Sequence, residues 1–182
     1  SIIHIYDIKN FKFINEISIP YLFISDINPL NDSSLIFSAM CGFRSDIYTF
    51  KINTGELGML TESGDNYCPV VVNNKIYFIS NTNKNSIVEM DTISGKLKTI
   101  FSSEQAISHL NCVNEKMLVF SKKMNGLDDI FTFDLQAGNL RQITRNNNSN
   151  LAPQISGNYF YFFSFYKYKY QLFLDVYNPA EY

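Results

Sequence analysis

The stretches DIFTFDLQAGNLRQIT (residues 129–144) and DIYTFKINTGELGMLT (residues 46–61) are near copies of each other. Each begins with Asp, alternates apolar and polar residues, passes through a Gly turn and ends in Thr. Similarity at a fixed spacing indicates a repeat architecture, in which one short unit is used several times. We therefore looked for further copies of the unit along the chain.

Short apolar runs recur at a nearly constant interval. The runs are LIFS, YFIS, LVFS and YFFS, which end at Ser38, Ser80, Ser121 and Ser164. They are separated by 42, 41 and 43 residues, and turn glycines follow the first three at Gly55, Gly95 and Gly138. The spacing predicts that the four serines occupy equivalent places in a repeated unit.

Each unit is predicted to contain four short strands, which we name A to D in chain order. Strand B is apolar at successive positions, as in IYFIS (residues 76–80), so both of its faces need cover. Strand C alternates, and the turns NTGE and QAGN between strands C and D are suited to tight hairpins. Antiparallel four-stranded units repeated every ~42 residues predict an all-β fold, a β-propeller. A single blade with two apolar faces cannot stand alone in water, whereas blades packed around an axis cover one another.

Residues 1–182 are predicted to form one propeller segment. Full blades are expected at residues 24–62, 66–101 and 107–145. Residues 2–18 match strands C and D only, and residues 151–177 match strands A to C. Two arrangements are open, a four-bladed ring with a spare strand or an incomplete segment of a larger, six- to eight-bladed propeller. We favour the second, because missing blades would leave apolar faces in water.

Charge and composition exclude several classes of function. The net charge is −2 and no long basic stretch occurs, so we expect no nucleic-acid partner. The apolar runs are much shorter than the roughly 20 residues that cross a bilayer, so we expect no membrane insertion. The spacing of a zinc site is absent from the three cysteines, Cys41, Cys68 and Cys112. We expect buried free thiols, and the alternative is one disulfide bond between two of them.

The residues of acid–base, nucleophilic and metal chemistry are sparse. His4 and His109 are the two histidines, without metal-ligand spacing, and no GxSxG motif is present. The pair Asp128–Asp129 is interpreted as turn chemistry. We predict no catalytic residue, no cofactor and no metal. An enzyme working in the propeller channel would need His and carboxylate groups on the A strands, and YCPVVV, HLNCVN and LAPQIS offer almost none.

The segments at residues 46–80 and 129–164 resemble the repeats of TolB-type propellers. They share an Ile-Tyr or Ile-Phe strand, a Gly turn, a Leu-Thr or Ile-Thr ending, a Pro-bearing strand and an apolar strand closing in Ser. The Ser-Pro-Asp-Gly turn of that family is replaced here by VNNK, VNEK and SGNY. The resemblance implies an extracytoplasmic protein-binding module of the periplasm or cell surface. Related propellers are also found in prolyl-oligopeptidase-type and tricorn-type peptidases, so the resemblance is equally consistent with a propeller that gates the access of substrates to a separate catalytic domain.

One stretch, FSFYKYKYQLF (residues 163–173), is a candidate recognition patch. It alternates aromatic and basic residues, and Tyr is favoured at binding surfaces. The alternative is a plain hairpin with Lys outward and Tyr packed inward. The candidate partner-binding residues are Arg44, Arg145, Tyr166, Lys167, Tyr168, Lys169 and Tyr170.

The sequence therefore favours a non-catalytic protein-interaction propeller within a larger envelope or surface protein. Its expected partners are the rest of its own propeller or other envelope proteins. The alternative is a substrate-gating propeller of a serine peptidase whose catalytic domain lies outside these residues.

Overall fold

A computed structural model describes residues 1–7, 9–19, 22–62 and 64–177. The described residues form seventeen strands and no helix, and therefore include no helix that could span a membrane. The strands are β1 (Ile2–Asp7), β2 (Lys12–Ser18), β3 (Phe23–Asn31), β4 (Ser34–Cys41), β5 (Arg44–Lys51), β6 (Leu57–Met59), β7 (Asn66–Val72), β8 (Lys75–Ser80), β9 (Asn85–Asp91), β10 (Leu97–Ser103), β11 (Ile107–Asn114), β12 (Met117–Met124), β13 (Leu127–Asp134), β14 (Leu140–Gln142), β15 (Asn150–Ser156), β16 (Tyr159–Tyr166) and β17 (Lys169–Val176).

The strands form five antiparallel sheets in which neighbours along the chain are neighbours in the sheet. We number them sheet I (β1–β2), sheet II (β3–β6), sheet III (β7–β10), sheet IV (β11–β14) and sheet V (β15–β17). Sheets II, III and IV have four strands each, in the chain order of a propeller blade. The all-β propeller with four-stranded antiparallel blades is therefore confirmed.

The core lies between consecutive sheets, in four separate apolar clusters. In strand β4, Phe37 belongs to the cluster shared with sheet I, and its neighbour Ile36 to the cluster shared with sheet III. Both side chains are 0% exposed. Successive residues of a strand point to opposite faces, so an unbroken apolar run places bulky groups in two clusters at once.

A phenylalanine is repeated at the fourth position of every B strand. These residues are Phe37, Phe78, Phe120 and Phe162, at most 8% exposed. Each lies in the cluster shared with the preceding sheet. The structural repeat is therefore 41 or 42 residues, and its most regular feature is this aromatic contact.

The expectation that the four serines are equivalent is wrong for two of them. Ser38 and Ser121 are the fifth residues of their strands, whereas Ser80 and Ser164 are the sixth. The pairing of β3 with β4, and of β11 with β12, contains two register shifts, but the corresponding pairings in sheets III and V contain one. Each additional bulge shifts the A–B turn by one residue, which the spacing of serines does not reveal.

A buried polar network connects sheets IV and V. Thr144 Oγ1 donates to Asp129 Oδ1 at 2.9 Å and accepts the Ile130 N–H at 2.9 Å. Asn150, the first residue of β15, donates from Nδ2 to the same Asp129 oxygen at 3.3 Å. One carboxylate therefore holds strand C, the end of strand D and the next blade together.

The same network, which we call the Asp–Thr–Asn clip, joins sheets II and III. Thr61 Oγ1 donates to Asp46 Oδ1 at 2.9 Å, and Asn66 Nδ2 donates to it at 3.3 Å. Sheet III has Ser86 and Ile107 at the places of the Asp and Asn. The near-identical stretches at 46–61 and 129–144 are thus the two that carry the clip.

Replacing Phe120 by Ala should lower the free energy of unfolding by about 3–5 kcal/mol, because a fully buried aromatic ring would leave a cavity. Phe120 packs with its ring centroid 5.7 Å from that of Phe101 of sheet III. Phe43→Ala is the control, since Phe43 is fully exposed in a B–C loop. Urea denaturation followed by circular dichroism measures both, and equal losses in the two variants would contradict the packing.

Thr144→Val should cost about 1–3 kcal/mol of unfolding free energy, because it leaves the buried Ile130 N–H without a hydrogen-bond partner and removes one of the two donors to Asp129 Oδ1. The control is Thr132→Val, a buried strand residue whose hydroxyl has no hydrogen bond among the described residues. Denaturation midpoints measure the difference. A loss as large in Thr132→Val would show that the hydroxyl of the clip has no special role.

Candidate functional site

The sequence-predicted binding residues all lie at one edge of the sheets. Because neighbouring strands are antiparallel, the B–C hairpins and the D–A connections meet at the same edge. We call this edge the loop rim, formed by the B–C loops at 42–43, 81–84, 125–126 and 167–168 and the D–A connections at 60–62, 64–65, 104–106 and 143–149. The A–B and C–D turns lie at the opposite edge.

The hairpin of sheet V presents its aromatic and basic residues on a tight turn. Tyr166 and Lys169 are the closing pair, and the two turn residues, Lys167 and Tyr168, have φ of 49° and 66°. Two consecutive positive φ values are typical of a type I′ hairpin, a short and well-defined turn. The ring of Tyr168 at the tip is 97% exposed.

The hairpin was anticipated, but its tyrosines are not packed inward. Tyr166 is 42% exposed and Tyr170 54%. Lys167 Nζ lies 5.2 Å from the centroid of the Tyr166 ring, and Phe165 meets Tyr170 edge-on at 5.1 Å. The side chains thus support one another while a large part of each ring faces outward.

The two arginines occupy different settings on the rim. Arg44 Nη2 lies 3.2 Å from Asp46 Oδ2 and donates to the backbone carbonyl of Glu62, so it braces the first clip from outside. Arg145 is exposed in the connection from sheet IV to sheet V. The structure therefore brings Arg145, but not Arg44, to the same side of the rim as the Tyr-Lys hairpin.

A cleft lies near the loop rim, between the A strands of sheets II to V. Strands β3, β7, β11 and β15 each form one edge of a sheet, and each packs against the next. Near its start each has one residue with positive φ, namely Asp26 (49°), Cys68 (52°), His109 (53°) and Ala152 (51°). These four residues line a cleft of about 320 Å³. We call this cleft the channel mouth.

The polar groups of the channel mouth come from different sheets. Ser38 Oγ donates to Asp26 Oδ2 at 2.8 Å, and Cys68 of the next sheet lines the same cleft. Asn28 Nδ2 donates to the carbonyl of Pro69 in the next A strand at 2.9 Å. Sequence reasoning missed this convergence because strand A of sheet II was not among the A strands considered. The spacing of 42, 41 and 43 residues between the four positions was the available signal.

The titratable groups of the channel mouth are not set up for nucleophilic chemistry. Burial, with a smaller effect of the Asp26 charge, raises the pKa of the Cys68 thiol to about 12. Burial lowers the pKa of His109, although the negative charges of Asp26 and Asp128 act in the opposite direction and raise it. A protonated thiol and a neutral imidazole are therefore expected at pH 7. All three cysteines are free thiols, but Cys68 is buried, Cys112 half-buried and Cys41 exposed, so the expectation that all three are buried is wrong for two of them.

Within residues 1–7, 9–19, 22–62 and 64–177 no group of three His, Cys, Asp or Glu side chains is placed to hold a metal ion. The channel mouth can offer hydrogen bonds and one carboxylate to a ligand.

Neither a family model nor a curated protein matches the sequence. Solved structures do match. TolB from Acinetobacter baumannii superposes with a TM-score of 0.62 at 16% identity, over 95% of this chain and 50% of that chain. A puromycin-hydrolyzing peptidase of Mycobacterium tuberculosis gives 0.69 at 10% identity, over 88% of this chain and 30% of that chain.

A third structure, an oligogalacturonate lyase from Vibrio parahaemolyticus, gives a TM-score of 0.64 at 12% identity, over 90% of this chain and 52% of that chain. This chain thus spans about half the length of the TolB and lyase chains. At these identities the likenesses show the fold alone, and they show that the chain folds as a β-propeller of the kind found in TolB.

Proposed function

We propose that the chain is a non-catalytic, protein-binding segment of a larger propeller, which docks further blades at its ends and other proteins at its loop rim. The observation that carries the proposal is an apolar face of sheet V that none of the described residues covers. Leu172 is 63% exposed, whereas the residues at its place in sheets II, III and IV, namely Ile47, Ile87 and Ile130, are 0% exposed.

The uncovered face is continuous across the last two strands. The register pairs Phe163 with Leu172 and Tyr161 with Leu174 on one side of the sheet. This end face comprises Tyr159, Tyr161, Phe163, Phe165, Tyr170, Leu172, Leu174 and Val176. It carries no charged side chain. Exposed apolar patches of this kind mark sites of protein association.

A further blade of the same propeller is the occupant that fits this face. In sheets II to V the face toward the preceding sheet presents the repeated Phe, and the face toward the following sheet presents the residue equivalent to Leu172. The end face of sheet V is therefore one half of an interface that the chain already builds three times. The length of the TolB and lyase chains supports additional blades in the same polypeptide.

The loop rim supplies the surface for other partners. Rigid blades hold the rim loops in place, so that residues such as Tyr168 are displayed at little cost in conformational entropy. The resemblance to TolB-type propellers supports an extracytoplasmic location and protein partners of the envelope.

The second candidate is a propeller that gates the substrates of a serine peptidase. It is favoured by the likeness to the puromycin-hydrolyzing peptidase. The aligned part is 30% of that chain, so most of the peptidase lies outside the region that this chain resembles. The two functions differ in what accompanies the propeller: an α/β domain with a GxSxG motif supports the gate, and its absence from the whole polypeptide supports the binding module.

The variant Leu172→Asp/Leu174→Asp should reduce the fluorescence of bound 8-anilinonaphthalene-1-sulfonate by about twofold or more in the 182-residue chain, because the dye binds exposed apolar surface. The change should leave the thermal midpoint nearly unchanged, since both side chains face water. Ile93→Asp is the control, a 92% exposed residue in a C–D turn far from the end face.

In a longer polypeptide with the following blade, Leu172→Ala should instead lower the free energy of unfolding by about 2 kcal/mol or more. Unchanged stability there would contradict a docked blade. A discrete dimer of the 182-residue chain that Leu172→Asp abolishes would show instead that a second copy covers the face.

A further inference from the structure

We propose that the loop rim binds an acidic protein segment, and that it does so on the half formed by sheets IV and V. This inference rests on the proposed function, because it takes the rim as a binding surface and names the chemistry of the partner. The residues that form the surface are Lys123, Arg145, Tyr166, Lys167, Tyr168 and Lys169, which we call the basic half-rim.

Three loops are joined into one surface through Ser149. Its carbonyl accepts the N–H of Phe165 at 2.8 Å, which ties the connection 143–149 to the Tyr-Lys hairpin. Its hydroxyl donates to Asp128 Oδ2 at 2.8 Å, and Lys123 Nζ lies 3.8 Å from that same oxygen. The B–C loop of sheet IV, the D–A connection and the hairpin of sheet V are therefore adjacent.

The cations of this surface exceed the carboxylates that could neutralise them. Arg145, Lys167 and Lys169 have no carboxylate partner among the described residues. Lys123 faces Asp128, but that carboxylate already accepts a hydrogen bond from Ser149. The connection at 143–149 and the hairpin turn contain no acidic residue. An anionic partner would supply the missing charges.

The opposite half of the rim, formed by sheets II and III, has unpaired carboxylates instead of unpaired cations among its described residues. Its cations are engaged, since Arg44 pairs with Asp46, and Lys84 with Glu104. The carboxylates of Glu62 and Asp65 have no ion-pair partner within the part of the chain that the structure describes. An acidic segment would be attracted to one half and repelled from the other, which fixes where it lies.

The aromatic residues indicate a protein segment as the source of the negative charge. Tyr168 projects from a turn whose two positive φ values fix its backbone, and Tyr166 is held beneath the Lys167 ammonium. Tyrosines on a rigid turn lose little entropy on binding and are frequent hot spots for protein partners. The four cations and two tyrosines lie on three adjacent loops, whereas the groove of a single-strand binder runs along many nucleotides.

The test is fluorescence anisotropy with a labelled dodecamer of glutamate, at low salt, against the whole 182-residue chain. We expect saturable binding that weakens about tenfold or more between 50 and 250 mM NaCl, because the contacts are ionic and exposed. The variant Lys167→Glu/Lys169→Glu should weaken binding about tenfold or more, and Tyr168→Ala by a few fold. Lys167→Arg/Lys169→Arg should retain the affinity within about twofold.

The matched control is Lys96→Glu/Lys98→Glu, which changes the net charge equally on exposed positions of sheet III. It should leave the affinity within about twofold of the parent chain. Equal weakening in the control and in the hairpin variant, or no binding of the peptide, would overturn the inference. Tighter binding of a thymidine dodecamer than of the glutamate peptide would also overturn it, in favour of nucleic acid.

The outcomes separate this inference from the proposed function. Leu172→Ala/Leu174→Ala changes the end face without adding charge, so it should leave peptide binding within about twofold. If the peptide does not bind while the dye-binding test of the end face gives the expected result, the inference about the basic half-rim alone is contradicted. If the peptide binds as expected while the dye-binding or stability test of the end face fails, only the docking of a further blade is contradicted.

Discussion

Both faces of each B strand must be covered, and the rest of the architecture depends on this constraint. Ile36 and Phe37 are adjacent in sequence, belong to different apolar clusters and are both fully buried. A strand of this kind cannot lie on the surface of a two-layer sandwich, where one face of each sheet meets water. It requires a sheet on either side, and in the described chain each of sheets II, III and IV has one.

Buried polar contacts between neighbouring sheets supplement this apolar packing. The Asp–Thr–Asn clip uses one buried carboxylate to fix strand C, the end of strand D and the start of the next blade. It occurs between sheets II and III and again between sheets IV and V. Between sheets III and IV, Tyr67 donates its hydroxyl to the carbonyl of Ile107 at 3.0 Å instead. Different side chains thus satisfy the same need for a directional contact between neighbouring blades.

Most of the fold could be predicted because it depends on local patterns. The period, the apolar B strands and the turn glycines at Gly55, Gly95 and Gly138 are visible in the residues themselves. The register of alternate blades could not be predicted, because a bulge adds a residue without a sequence signal. The left-handed backbone at Asp26 and His109 was also hidden, since glycine is the residue that normally indicates it.

The candidate site was only partly visible for a related reason. The alternation of Tyr and Lys at residues 166–170 marked the hairpin, and the structure places it on the rim with both turn residues at positive φ. Its neighbourhood depends on tertiary contacts. Ser149 joins it to Asp128 and Lys123, and nothing in the local sequence indicates that these loops meet. Arg44 illustrates the converse, a residue that sequence alone groups with the patch and that the fold assigns to a neighbouring clip.

The most direct test of the central claim is amide hydrogen exchange, measured strand by strand in the 182-residue chain. Strands β12 and β13 have a sheet on each side, whereas β16 and β17 have a sequence at least as apolar and one neighbouring sheet among the described residues. Two-sided cover predicts that β12 and β13 exchange close to the rate of global unfolding, and that β16 and β17 exchange markedly faster. Equal protection of the two pairs would contradict the account, because it would show that a strand of this composition is stable with one face in water.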